Sequence, residues 1–181
     1  MSILYITGRN GHLQRGLGEY LNRLTGSFSG ISLDPVFLRQ PFNEQVARIQ
    51  SAIESPTDYK LVANSYGGYL LLHALIDRTK IEHDVLLLSP VLGKAISLES
   101  MSFSRPPGAN RLLEALEQGR IAKPRYIEIH TGKVDHSCCP LLAAKFAEGI
   151  PADRLELIPG QGHRIDRPIV QGIIDDFISR G

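Results

Sequence analysis

Leu61-Val62-Ala63-Asn64-Ser65-Tyr66-Gly67-Gly68-Tyr69-Leu70-Leu71-Leu72-His73-Ala74-Leu75 decides how the rest of the chain is read. It divides into a short apolar strand, a sharp turn at Asn64-Ser65-Tyr66 and an apolar helix. A serine at such a turn is held clear of both elements, with its hydroxyl outward. Small residues must flank it, because the strand and helix backbones nearly touch there. Ala63 and Gly67 stand two positions before and two after Ser65. That is the logic of the G-x-S-x-G turn, with alanine in place of the first glycine.

Working outward, the 181 residues suffice for one domain with a sizeable core. The chain is 43% hydrophobic and 22% charged, an ordinary balance for a globular protein. A formal net charge of +1 sets up no global field for nucleic acid, membrane or acidic partners. No basic stripe suggests a nucleic-acid binder. No apolar run approaches the roughly 20 residues that span a bilayer. The start, Met1-Ser2-Ile3-Leu4-Tyr5-Ile6, lacks a basic n-region and begins directly as a strand. No signal peptide is expected, and the location expected is cytoplasmic. Cys138 and Cys139 are adjacent, poorly placed for a structural disulfide, and suit reduced thiols. No Cys/His spacing reads as a zinc site, so no metal or cofactor is expected. Oligomeric state leaves no mark in the sequence.

Before the serine turn, Ser2 to Thr7 reads as a strand ending in Gly8-Arg9-Asn10-Gly11. Leu13, Leu17, Tyr20, Leu21 and Leu24 then recur at helical spacing. Ile31 to Leu33 reads as a short strand closed by Asp34-Pro35, with a loop through Pro41. The next helix carries Phe42, Val46, Ile49 and Ile53 on one face, with Asn43 as its N-cap. Ser55-Pro56-Thr57-Asp58 breaks the chain before the Ser65 strand. After it, Val85-Leu86-Leu87-Leu88 is a continuous apolar run, suited to a strand buried on both faces. Residues 91–122 form an excursion, with serines, Gly93, Pro106-Pro107-Gly108 and a helix around Leu112, Leu113 and Leu116. Its stretch from Leu92 to Arg105 reads as a loop or a partial lid. Tyr126 to His130 is a strand, Leu141 to Glu148 a helix, Leu155 to Ile158 an edge strand, and Ile169 to Ile178 the closing helix. Strand and helix thus alternate about six times. That predicts a single three-layer α/β/α sandwich around a mainly parallel sheet of about six strands. Right-handed crossovers place the loops after the strands along one rim, where ligands bind.

On that rim Ser65 needs a base to take its proton. His163, in Gly160-Gln161-Gly162-His163 after the last strand, is the first choice and His130 the second. His136 lies in the acid loop, and His73 and His83 lie away from the rim. A carboxylate must fix the imidazole tautomer. Asp135, in Gly132-Lys133-Val134-Asp135, sits between Ser65 and His163 in the chain, and Asp166 is a local rival. Asp84 precedes its strand, at the wrong end of the sheet. The Tyr66 N–H at a helix start suits one oxyanion donor. Arg9 N–H supplies the other, with Asn10 as the alternative. Asn10 and His12 are candidates to line the substrate site, whose walls are expected from Pro90 to Gly119 and the loop around His12. The glycine loop at Gly8 to Gly11 lacks G-x-G-x-x-G and the P-loop lysine, which argues against a nucleotide.

With these motifs in order, the chain resembles the α/β-hydrolase superfamily along essentially its whole length. Ala63-Asn64-Ser65-Tyr66-Gly67 looks like the nucleophile elbow, and Gly68 matches an extra glycine that many members carry. Thr7-Gly8-Arg9 stands where many members have His-Gly and the oxyanion residue. Gly132 to Asp135 is similar to the acid loop, and Gly160 to His163 to the histidine loop. The chain looks like a compact member lacking the first two strands, similar to small cytoplasmic esterase-like hydrolases of the retinoblastoma-binding-protein type. It departs at Ala63, and in having no histidine before Gly8. The resemblance implies a serine hydrolase that cleaves an ester-type acyl bond of a small molecule through Ser65, His163 and Asp135. Thioester or amide cleavage by the same residues is an alternative, as is a binding module without turnover. The plainer readings are Ser65 as a helix N-cap, Asp135 as a turn residue and His163 as a surface histidine. Cys138 and Cys139 read as packing residues at a helix start, where a lowered thiol pKa is also conceivable.

Overall fold

A computed structural model describes residues 2–54, 59–97 and 102–180. The chain runs β1 (Ser2–Arg9), α1 (Gly16–Leu24), β2 (Ser27–Leu33), α2 (Pro35–Leu38), α3 (Phe42–Ile53), β3 (Tyr59–Asn64) and α4 (Tyr66–Ala74). It continues through β4 (Ile81–Leu88), β5 (Ala95–Ser97), β6 (Ser102–Ser104), α5 (Ala109–Glu117), β7 (Pro124–Gly132), α6 (Pro140–Gly149), β8 (Arg154–Ile158) and α7 (Arg167–Ser179). Six strands form one sheet in the order β2-β1-β3-β4-β7-β8, and every neighbouring pair is parallel.

Alternation along the strands builds the layers. Leu4, Ile6, Leu61, Ala63, Val85 and Leu87 belong to one buried cluster, packed with residues of α3, α4, α5 and α6. Ile3, Tyr5, Val62, Leu86 and Leu88 belong to a second, packed with residues of α1 and α7. Both faces are therefore covered, as an all-parallel sheet requires. Helix α4 is buried at every position, which explains why its sequence is apolar all round. Order reverses between β1 and β3: β1 leads outward to β2, whereas β3 leads to β4 on the other side. The crevice beyond their carboxyl ends is the switch point where open α/β sheets bind ligands. Gly8 and Ser65 stand at that point.

Several elements differ from the sequence reading. The loop after Leu33 contains the short helix α2, whose Phe37 N–H is capped by Asp34 Oδ1 at 2.8 Å. Asn43 lies inside α3, which starts after Pro41, and no side chain caps it. Strand β2 begins at Ser27; its outer residues are half-exposed or exposed, so no apolar run marks them. The excursion contains an antiparallel strand pair, β5 with β6, beside its helix. The Ser55-to-Asp58 break and residues 98–101 of the excursion lie outside the described residues.

Candidate active site

Ser65 follows the last residue of β3 and precedes α4 with φ 52° and ψ −121°. A non-glycine residue there is strained by roughly 1–3 kcal/mol and persists only where its surroundings hold it. They do: its N–H donates to Leu88 O at 2.9 Å, and its carbonyl accepts from Val91 N at 3.1 Å. A Cβ on Gly67 would run into the Thr7 and Ile6 carbonyl oxygens, so only glycine lets α4 approach β1 this closely. Ala63 is fully buried, with no measurable exposure.

Two later loops meet over the serine. His163 Nε2 lies 2.9 Å from Ser65 Oγ, and His163 Nδ1 lies 3.0 Å from Asp135 Oδ2. Gly132 and the Gln161-Gly162 peptide bring these loops together, for a Cβ on Gly132 would strike both carbonyl oxygens. Val134 N–H donates to Gln161 O at 3.1 Å across the same contact. Asp135 is 2% exposed. It also accepts from Thr131 Oγ1 at 2.9 Å, Ser137 N at 2.7 Å and Cys138 N at 2.8 Å. Burial alone would raise its pKa; the hydrogen bonds from His163, Cys138 N–H and Thr131 outweigh this and hold it below the usual carboxylate value. Asp135 is thus an ionised acceptor facing the imidazole.

The helix start leaves Tyr66 N–H without an intrahelical partner. At the end of β1, Asn10 N–H is taken by Leu33 O at 2.8 Å, which removes it as an oxyanion donor. Asn64, whose role the sequence left open, ties the serine turn to β1. Its Oδ1 accepts from Gly8 N at 2.8 Å and from Tyr5 Oη–H at 2.7 Å. Tyr5 pairs with Val62 in register, so Tyr5 and Asn64 share a face of the sheet. That signal requires knowing that β1 lies beside β3, which the sequence does not state.

Above Ser65 opens a cleft of about 510 Å³. Its walls come from Gly16, Leu17 and Tyr20 of α1 and from Arg167, Val170 and Gln171 of α7. Gly8, Arg9, Asn64, Leu88, Ser89 and the His163-to-Ile165 segment line the rest. Among the described residues, none from Pro90 to Gly119 lines it, nor does His12. Asn10 and His12 are exposed and absent from the lining. Their loop is drawn to β2 instead: Asn10 N–H donates to Leu33 O, and Ser32 Oγ donates to Gly11 O at 2.6 Å.

The competing side chains have other tasks. His130 is buried 2.6 Å from Glu128 Oε2; burial lowers its pKa, with Glu128 opposing. Asp166 holds Gln161 through its carboxylate at 3.0 Å. His136 is exposed. Cys138 is buried, and burial pushes its thiol pKa up, the reverse of an activated thiol. Among the described residues, no group of three His, Cys, Asp or Glu is placed to hold a metal ion. None of the described helices is long and apolar enough to cross a membrane.

No family model matches the chain, and no curated protein matches it in sequence. Solved structures do match in shape. Mouse alpha/beta hydrolase domain-containing protein 10 superposes with a TM-score of 0.71 over 99% of this chain and 90% of its own, at 15% identity. The chain has the α/β-hydrolase fold. The monoacylglycerol lipase of Paleococcus ferrophilus gives a TM-score of 0.66 over 99% of this chain and 94% of its own, at 14% identity. Est1E from Butyrivibrio proteoclasticus gives 0.65 over 97% and 86%, at 16% identity. Within this α/β-hydrolase fold, the elbow follows the third strand of the sheet in chain order. The Asp135 and His163 loops follow the fifth and sixth.

Proposed function

We propose that the protein is a serine hydrolase that cleaves an ester-type acyl bond. The observation that carries the reading is the line of contacts from Ser65 Oγ to His163 Nε2 at 2.9 Å and from His163 Nδ1 to Asp135 at 3.0 Å. Ser65 Oγ attacks the acyl carbon while His163 takes its proton. The tetrahedral oxyanion is held by the Tyr66 and Arg9 amides. Collapse breaks the bond to the alcohol, which leaves with the proton from His163. Water then attacks the acyl-enzyme and gives its proton to His163. The carboxylic acid departs, and the proton returns to Ser65. Asp135 orients the imidazole and stabilises its charged form. The cleft walls, apolar at Leu17, Leu88, Ile165 and Val170, support a small acyl substrate.

Ser65→Ala tests this. The variant should lose at least about a thousandfold in kcat on a short 4-nitrophenyl ester while keeping its thermal transition. Turnover close to wild type would overturn the reading. So would a fluorophosphonate attached to any residue but Ser65 in the mass spectrum. Matched thioester and amide substrates fix the bond type.

A further inference from the structure

The cleft over Ser65 has a one-sided charge. Among the described residues three arginines line it, Arg9, Arg164 and Arg167, and no aspartate or glutamate does. Arg9 is exposed, with its guanidinium over the Tyr66 ring at 4.3 Å from the centroid. Arg164 and Arg167 are exposed, with no ion-pair or hydrogen-bond partner among the described residues. Several guanidinium groups elsewhere are paired, Arg78 with Glu54 at 2.6 Å, Arg120 with Asp77 at 2.9 Å and Arg125 with Asp84 at 2.8 Å, whereas the two on the histidine-loop side of the cleft are not. The carboxylates nearest in sequence to the cleft residues bind other side chains, Glu19 facing Arg23 at 3.8 Å. Asp166 accepts from Gln161 Nε2, and Asp175 accepts from Tyr20 Oη–H at 2.6 Å.

Two further features favour a polar, negatively charged ligand. The first turn of the 13-residue helix α7 lines the cleft, and its N-cap Asp166 makes no side-chain cap bond. Pro168 has no N–H and Val170 N–H goes to Asp166 O, so the Arg167 and Ile169 amides are what that turn adds, with the positive end of the helix dipole, to the arginines. Ser89 also lines the cleft, with its hydroxyl oxygen turned out of reach of solvent. Ser89 is 4% exposed, and its Oγ has no hydrogen-bond partner among the described residues. A buried hydroxyl left unpaired is costly, and it adds a polar group to the wall behind the arginines.

We propose that the acyl compound this site accepts carries an anionic group, a carboxylate or a phosphate, held by Arg164 and Arg167 while the ester lies over Ser65. This rests on the serine hydrolase reading above. A planar guanidinium matches either oxyanion through paired N–H donors. Leu17, Leu88 and Val170 then contact the aliphatic chain between the anion and the ester.

The test compares 4-nitrophenyl hydrogen glutarate with 4-nitrophenyl methyl glutarate, which differ in one charge. A second pair carries a phosphate monoester or its dimethyl ester on the same acyl chain, and tells which anion is preferred. In the wild-type protein, kcat/KM for the anion should exceed that for its neutral partner by about tenfold in at least one pair, and 0.5 M salt should erode the preference. In Arg164→Gln/Arg167→Gln the anion-to-neutral ratio should fall about tenfold, whereas Arg164→Lys/Arg167→Lys should keep most of it. A ratio at or below one in both pairs, or one unmoved in the glutamine variant, overturns the proposal. A neutral fluorophosphonate labelling Ser65 in the same preparations separates the two readings. Labelling without anion preference sinks only the charge inference, and no labelling of the wild type sinks the hydrolase reading beneath it.

Discussion

Asn64 carries the tightest coupling at the residue scale. One oxygen, Asn64 Oδ1, accepts from both Gly8 N–H and Tyr5 Oη–H, so the serine turn and β1 are joined through a single acceptor. Removing it leaves the Tyr5 hydroxyl and the Gly8 amide without that partner. Tyr5 is 4% exposed, so water cannot easily replace the lost bond. Asn64→Ala should cost about 1–3 kcal/mol of stability in urea unfolding. It should also lower kcat on the 4-nitrophenyl ester more than it raises KM, because the Arg9 N–H proposed as an oxyanion donor follows Gly8 and would act chiefly once the oxyanion forms. Asn64→Asp keeps an acceptor and should retain more of both. An Asn64→Ala enzyme with wild-type kcat would show that the Gly8–Arg9 strand holds its place without this bond.

At the scale of elements, the site depends on two loops seated on each other. Gly132 is where they touch, and its lack of a Cβ lets the Gln161-Gly162 carbonyls approach. Gly132→Ala should push the histidine loop off the acid loop. Overpacking of this kind costs about 1–3 kcal/mol, or a Tm lower by roughly 2–12 °C for a chain of this size. A larger share of activity than of stability should be lost, because a displacement of about 1 Å can cost a hundredfold in rate. Near-normal kcat with a lowered Tm would show that the loops re-seat. Gly132-to-Asp135 and Gly160-to-His163 were legible in the sequence because each is a local pattern after an apolar strand. So was the all-parallel layering, from runs such as Val85 to Leu88. The Tyr5–Asn64 link was not, since it depends on strand order. Nor were the cleft walls: Leu17 and Val170 read as core-facing helix residues, and only the packing of α1 and α7 on one face turns their ends toward Ser65. Helix α2 escaped because four residues are too few for a period, although Asp34-Pro35 is a capped helix start.

Across the whole molecule, stability at mildly acid pH should be governed by buried imidazoles away from Ser65. His73 is 1% exposed, in edge contact with Phe42 and Tyr69 at 4.9 and 4.6 Å between ring centroids. Burial, with Arg111 adding to it, lowers its pKa from 6.5 to about 4. The unfolded chain therefore binds this proton more readily than the folded one. The stabilisation is complete above pH 6.5 and is lost as pH falls toward 4, by up to about 3 kcal/mol. His130, whose pKa is also lowered by burial against the pull of Glu128, acts in the same direction. Asp135 works in a separate window. Its depressed pKa favours the folded state above the ordinary carboxylate value, and that contribution is lost only as pH falls below about 4. Urea unfolding at intervals between pH 7 and pH 4 should show falling stability, and His73→Phe should flatten the slope by about half while leaving the acid limb below pH 4 in place. Phenylalanine keeps a ring against Phe42 and Tyr69 and removes the unpartnered Nε2. An unchanged slope in that variant would assign the titration to His130, where His130→Gln would then abolish it.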